Sequence, residues 1–245
     1  VRLEPRQRAE GSPRPTETVM RADVTGLLAP SERRVTQEKT AGAVTRTETA
    51  IEAPSIDGRF QTVVREQTVE RKLGENRAQV ERTRSALQGG AMAVVEREQS
   101  TMTREGAVAK TETVVHQIDP ATARLRLAER KVGTLTERPD GSSVERVETY
   151  GNRTASGGVN VNATRPVLQQ VVERETSVAA SGEIRERTRV SGRGVSDTGR
   201  MEPQSTTERV SRPTADGEQV RTEVREYGVN SRALPARVTV EQIRQ

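Results

Sequence analysis

The sequence predicts an all-β fold, an elongated tandem-repeat array of β-hairpins (a meander or a β-solenoid) without a large globular core. Three observations predict it. The rare bulky apolar residues recur at Leu27, Phe60, Met92, Leu125, Leu168, Met201 and Leu234, with spacings of 33, 32, 33, 43, 33 and 33 residues, a period typical of repeat architectures. Between them Val and Thr alternate with Arg and Glu at a period of two, the periodicity of a strand and not of a helix. Glycine-bearing breaks interrupt the chain roughly every 16 residues, as hairpin turns do.

Taken in order, the elements fall into two strand classes. "TET" at residues 16–18 returns in phase at 47–49 and 111–113. After the anchor Leu27, a turn at Gly42 leads to "VTRTETAI" at 44–51, where Thr45, Thr47, Thr49 and Ile51 share one face and Arg46 and Glu48 the other. Phe60 then opens "VVREQTVERK" at 63–72, closed by "LGEN" at 73–76. Met92 precedes "VVEREQSTMTR" at 94–104, the break at Glu105 and Gly106, and "VAKTETVV" at 108–115, again with Thr111 and Thr113 opposite Lys110 and Glu112.

Leu125 leads "AERKVGTLTER" at 128–138, the turn "PDG" at 139–141, and "VERVETY" at 144–150, with Val147 and Thr149 opposite Arg146 and Glu148. The Gly/Asn/Ser-rich residues 151–166 account for the single long spacing and read as a loop insertion. Leu168 leads "VVERETSV" at 171–178 and the turn at Ser181 and Gly182. Met201 precedes the turn "ADG" at 215–217 and "VRTEVREY" at 220–227, and Leu234 leads the last stretch, 237–245. The whole chain, 1–245, thus reads as one array of about seven units. Arg, Glu and Gln favour helices, but the frequency of Val and Thr and the spacing of the turns oppose that reading.

Composition sets the terms of stability. Aromatic residues are 1% of the 245 residues and hydrophobic residues 31%, so the side chains that bury most area are missing and a thin, distributed packing is expected. Charges are abundant but balanced, 40 basic against 35 acidic. Only four of the basic residues are lysines (Lys39, Lys72, Lys110 and Lys131), so Arg–Glu pairing dominates the polar chemistry. One bulky anchor per repeat is expected to stack into a narrow apolar ladder, with Arg and Glu paired across strands on the opposite face.

No catalytic constellation is legible, and no enzyme, cofactor or metal is expected. The single His116 has no Cys and no serine motif to work with. Asp57-Gly58, Asp140-Gly141 and Asp216-Gly217 lack the oxygen spacing of a calcium loop and read as tight turns. Asn152 and Asn162 head the acceptor triplets "NRT" and "NAT", the expected glycosylation sites in the insertion. No apolar run of membrane-spanning length occurs. The arginines alternate with glutamates and no aromatic platform exists, which argues against nucleic acid as a partner.

The first and last residues fall in the same phase of the repeat, Val1 with Arg65 and Gln245 with Arg71. The last stretch is therefore expected to be a strand without its own return strand, and such an edge seeks a partner. Val238, Val240 and Ile243 are its expected intersubunit residues, with a copy of the same chain as the expected partner.

"DGRFQTVVRE" at 57–66 and "TERPDGSSVERVETYG" at 136–151 resemble the tandem β-hairpin-like repeats of long, exported, largely uncharacterised bacterial proteins. The resemblance covers the chain from Leu27 onward, and "ASGEIRERTRVSGRG" at 180–194 departs from it. It implies export and a structural role, and carries no catalytic residues. Together these readings lead to a non-enzymatic extracellular or cell-surface structural protein assembling end to end into a fibre or surface layer. A soluble repeat module binding a protein or glycan is the alternative, and nucleic-acid binding the third reading.

Overall fold

The computed structural model describes residues 2–3, 16–22, 27–119, 121–151, 166–193, 200–228 and 231–244. The elements they form are β-strands. They are β1 (Arg2–Leu3), β2 (Thr16–Ala22), β3 (Leu28–Ala41), β4 (Val44–Pro54), β5 (Phe60–Gly74), β6 (Arg77–Gln88), β7 (Ala91–Glu105) and β8 (Val108–Asp119). There follow β9 (Arg124–Glu137), β10 (Ser143–Gly151), β11 (Val167–Val178), β12 (Ile184–Arg193), β13 (Met201–Thr214), β14 (Gly217–Glu226) and β15 (Arg237–Arg244). Hydrogen-bonded strand order follows chain order from β1 to β15. Of the two architectures the sequence left open, this is the meander.

The chain divides into two compact units, Val1–Thr101 with Val115–Arg126, and Met102–Val114 with Leu127–Gln245. In the first, β2 to β6 pair antiparallel in sequence. The predicted faces of β4 hold: Thr49 lies opposite Thr36 and Thr45 opposite Thr40, with hydroxyl pairs at 3.1 and 3.2 Å. In the second unit β9 to β15 pair in the same way. There Val147 sits between Gly133 and Val172.

The turns explain why these strands end where they do. Residues 55–59, 138–142 and 179–183 form one recurring loop. Gly58 N–H donates to Ser55 O (2.9 Å), Gly141 N–H to Arg138 O (3.0 Å) and Gly182 N–H to Ala179 O (2.9 Å), while the first residue's N–H closes the loop on the carbonyl four residues on. Each glycine holds a φ of 76 to 80°, the left-handed position that ends a three-residue hairpin loop and that L side chains resist. Between β6 and β7, Gly89 and Gly90 both have positive φ (57° and 86°), as a two-residue turn matched to strand twist requires.

One feature departs from the simple alternation. In β3, β5, β11 and β13 the register against the preceding strand shifts by one, leaving Ser31, Val63, Gln169 and Gln204 as extra residues. Each is a β-bulge near the start of its strand, and a bulge reverses which face the residues before it occupy. Phe60, opposite Pro54, therefore shares a face with Glu52 and Arg33, and Leu168 shares one with Tyr150. These anchors lie on the charged face, not the β-branched one.

Burial is correspondingly different from the expected ladder. The anchors do hold one phase, at or within three residues of the start of an odd-numbered strand, but Leu27 is 70% exposed and Met92 and Leu234 are exposed as well. The buried apolar residues are small: Ala128, Val171, Val210 and Val220. Val210 faces Arg185 on one side and Arg221 on the other, at the 4.5 to 5.5 Å Cβ spacing of cross-strand neighbours. Long arginine stems can cover a small apolar side chain while their heads stay in water.

Candidate functional site

The strands arrange their charges in three local patterns. Within a strand, residues two apart pair along one face, as in Arg34–Glu32 (2.7 Å), Lys131–Glu129 (2.8 Å) and Arg221–Glu223 (3.0 Å). Directly across a ladder, Arg146 meets Glu173 (2.6 Å), Arg174 meets Glu145 (3.3 Å) and Arg209 meets Glu186 (3.5 Å). Diagonally, Arg65 reaches Glu48 (3.3 Å) and Arg82 reaches Glu66 (3.2 Å). These are half-exposed pairs, each worth up to about 1 kcal/mol at best.

The most connected cluster is built on β10. Tyr150 donates its hydroxyl proton to Glu148 (2.5 Å), Arg146 donates from Nε and Nη2 to the other oxygen of Glu148 (3.1 and 2.9 Å), and its Nη1 donates to Glu173 on β11. Residues 146, 148 and 150 share a face because the strand period is two. The tyrosine hydroxyl, then Arg146, hold the Glu148 carboxyl below its usual range, while the hydrogen bond to Glu148 raises the Tyr150 hydroxyl. A carboxylate stabilised as the anion is a poor general base at neutral pH, so the cluster braces the strands.

Three aspartates form turn sites. Asp57 Oδ1 accepts Arg59 N–H (3.2 Å) and the Ser55 hydroxyl; Asp140 Oδ1 accepts Ser142 N–H (2.9 Å) and its hydroxyl (2.6 Å). Asp119, at the end of β8, is buried and accepts the Thr122 hydroxyl (2.8 Å) and Ala121 N–H (3.0 Å), with Arg126 at 3.1 Å. The serine hydroxyls lower Asp57 and Asp140 most, and the threonine hydroxyl lowers Asp119 most, ahead of the Arg126 charge. At Asp57 and Asp140 the expected turn role is the observed one. Asp216 lies in the two-residue link between β13 and β14. Among the described residues no group of three or more His, Cys, Asp or Glu could hold a metal ion. His116 is half-buried in β8.

Of the residues expected to take part in assembly, Val238, Val240 and Ile243 lie in β15, and all three are about half exposed. β15 pairs with β14 from Gly217↔Arg244 to Val224↔Arg237. It stands last in the strand order, so among the described residues its second edge has no backbone partner. Val238 and Val240 share one face, Arg237, Thr239, Glu241 and Ile243 the other. Asn152 and Asn162 lie outside the described residues. Arg33, whose guanidinium stands 5.6 Å from the Phe60 ring centroid, is a contact the sequence signalled only through the bulge.

No family model matches the chain, and no curated protein matches it. Among solved structures, it is similar to a protein of unknown function from Bacteroides fragilis, at 15% identity over 53% of this chain and 90% of that one, with a TM-score of 0.33. It is also similar to a porin-like protein from Bacteroides uniformis, at 11% identity over 86% of this chain and 97% of that one, with a TM-score of 0.18. No helix among the described residues is long and apolar enough to cross a membrane.

Proposed function

We propose that this chain is a non-enzymatic, exported structural protein that assembles end to end into an extracellular fibre or surface layer, joined by strand addition at β15. The observation that carries the reading is the outer edge of β15, a row of backbone donors and acceptors without a described partner, flanked by half-exposed Val238 and Val240. Such an edge is a template for another strand. Export and surface location rest on the resemblance of the repeats at 57–66 and 136–151 to those of exported bacterial proteins.

Sedimentation over a wide concentration range, with negative-stain micrographs of the same samples, tests the proposal. Concentration-dependent polymers are expected, and removal of residues 237–245 abolishes them. A monomer at every concentration, without fibres, overturns the assembly reading and leaves the soluble protein- or glycan-binding module. Polymers that survive the deletion overturn β15 as the joint.

A further inference from the structure

We infer that the β15 edge joins two copies of this chain about a two-fold axis through Thr239, antiparallel, with Arg237 of each copy opposite Glu241 of the other. This rests on the reading of β15 as the joining edge and adds its symmetry and its register.

Backbone geometry narrows the choices first. Along an edge strand alternate residues direct their N–H and C=O outward, so in an antiparallel pair outward-directed residues must meet outward-directed ones. For two identical edges this restricts pairing to residues of equal parity. Four registers then bring most of the central residues of β15 together, centred on Thr239, Val240, Glu241 or Gln242.

The side chains separate these. Centred on Thr239, Arg237 meets Glu241 twice, Val238 meets Val240 twice, and Thr239 meets its own copy, the type of threonine pair already present between Thr36 and Thr49 at 3.1 Å. Centred on Val240, Arg237 lies opposite Ile243 and Glu241 opposite Thr239. Centred on Glu241, that carboxylate faces its own copy, a directly opposed like-charge pair, which is unfavourable. Centred on Gln242, Glu241 lies opposite Ile243 and Val240 opposite Arg244. Only the Thr239 register pairs both charges, and it is self-complementary as an isologous interface requires.

Two further observations agree. Arg237 and Glu241 are exposed, and neither has an ion-pair partner among the described residues, although most of the glutamates in β10, β12 and β14 are paired. Pairing would also stop where the chain dictates. Beyond Glu241, Ile243 would face Pro235, which has no N–H to donate, so the ladder spans residues 237–241. A ladder this short is weak, and a two-fold joint closes on itself, so a fibre requires a second, different joint.

The chain contains no cysteine, so single cysteines report the register directly. Thr239→Cys places two thiols across the axis within disulfide reach. It is expected to give covalent dimers under mild oxidation, and Val240→Cys is not. Arg237→Glu weakens dimerisation about tenfold, and Arg237→Glu with Glu241→Arg restores it. Faster cross-linking of Val240→Cys than of Thr239→Cys overturns the register. Fibres without a Thr239→Cys dimer overturn the inference while the proposed function stands. Cross-linked dimers with no larger polymer support the inference and overturn the fibre.

Discussion

Replacing Arg221 with alanine or with methionine distinguishes two accounts of what holds this sheet together. Val210 is buried to 8% exposure with Arg185 and Arg221 directly across from it on either side. If the arginine stems provide the cover, Arg221→Ala uncovers perhaps a third to a half of the valine. Burial of a whole valine is worth roughly 1.5 to 2 kcal/mol, so the loss is about 0.5 to 1 kcal/mol. The ion pair with Glu223, at 3.0 Å and with the arginine half exposed, adds at most about 1 kcal/mol and is screened by salt. Methionine keeps an unbranched apolar stem and removes the charge. Urea unfolding at low and at 0.5 M salt is the assay. Arg221→Met should stay within about 0.5 kcal/mol of the parent, and the deficit of Arg221→Ala should persist at high salt. Equal losses for the two variants, both erased by salt, would show that charge pairing and not stem cover carries the energy.

Three further outcomes are expected. Gly133 lies mid-strand in β9 with Thr111 Cβ and Val147 Cγ2 each 3.7 Å from where its own Cβ would sit, so Gly133→Ala fits and should stabilise by about 0.5 to 1 kcal/mol, read as a higher urea midpoint. Gly192 is overlain by the amide of Gln204, the bulged residue of β13. Gly192→Ala should therefore destabilise by about 1 kcal/mol or more, and Gln204→Ala should remove most of that penalty in a double-mutant cycle. Asp57, Asp119 and Asp140 all have lowered carboxyl values, so their stabilisation is complete at neutral pH and is lost as the pH falls below the ordinary aspartate value near 4. Asp119→Asn should accordingly flatten the acid limb of a melting-temperature profile while lowering stability at pH 7; an unchanged acid limb would exclude Asp119 as a contributor.

Sequence patterning revealed the strand class, the turns and the two faces of β4, because glycine, the Thr–Thr rows and the Arg/Glu alternation each impose a local constraint. It did not reveal the bulges. Ser31, Val63, Gln169 and Gln204 share no chemistry, and a bulge is visible only against the partner strand. Missing them misplaces Phe60 and Leu168 by one face, and with them the apolar ladder. The recurrence of a large side chain suggested that it marks a buried position, yet in a meander with few bulky residues the places that two flanking arginines can roof over suit Ala and Val. The glutamates and arginines were legible as partners, but which pairs would form depended on register, and register was the quantity that composition left open. The β15 edge could be anticipated from the repeat phase, whereas its unpaired Arg237 and Glu241 required the strand order.

What fixes that register can be decided from the places where charge pairing loses. Lys39 lies directly opposite Arg46, and Glu208 directly opposite Glu223, arrangements that cross-strand electrostatics disfavours. A slip of two residues preserves the faces of both strands. Between β3 and β4 it would set Lys39 opposite Glu48, and between β13 and β14 it would set Glu208 opposite Arg221 or Arg225, depending on direction. Each slip improves the charge pairing by an amount on the order of 1 kcal/mol, and neither is taken. In both cases the tight turn stands in the way, at Gly42 (φ 58°) for β3–β4 and where Thr214 meets Gly217 (φ 137°) for β13–β14. A slip would convert a two-residue loop into one with two residues more or fewer and abandon the turn geometry that the strand twist favours. The like-charge pair at Glu208 and Glu223 is then compensated locally, by Arg185 at 3.8 Å on one carboxylate and by Arg221 and Arg225 at 3.0 and 3.2 Å on the other. Turns therefore set the register and the arginines adapt to it, which is the order of strength that a sheet without a deep core requires.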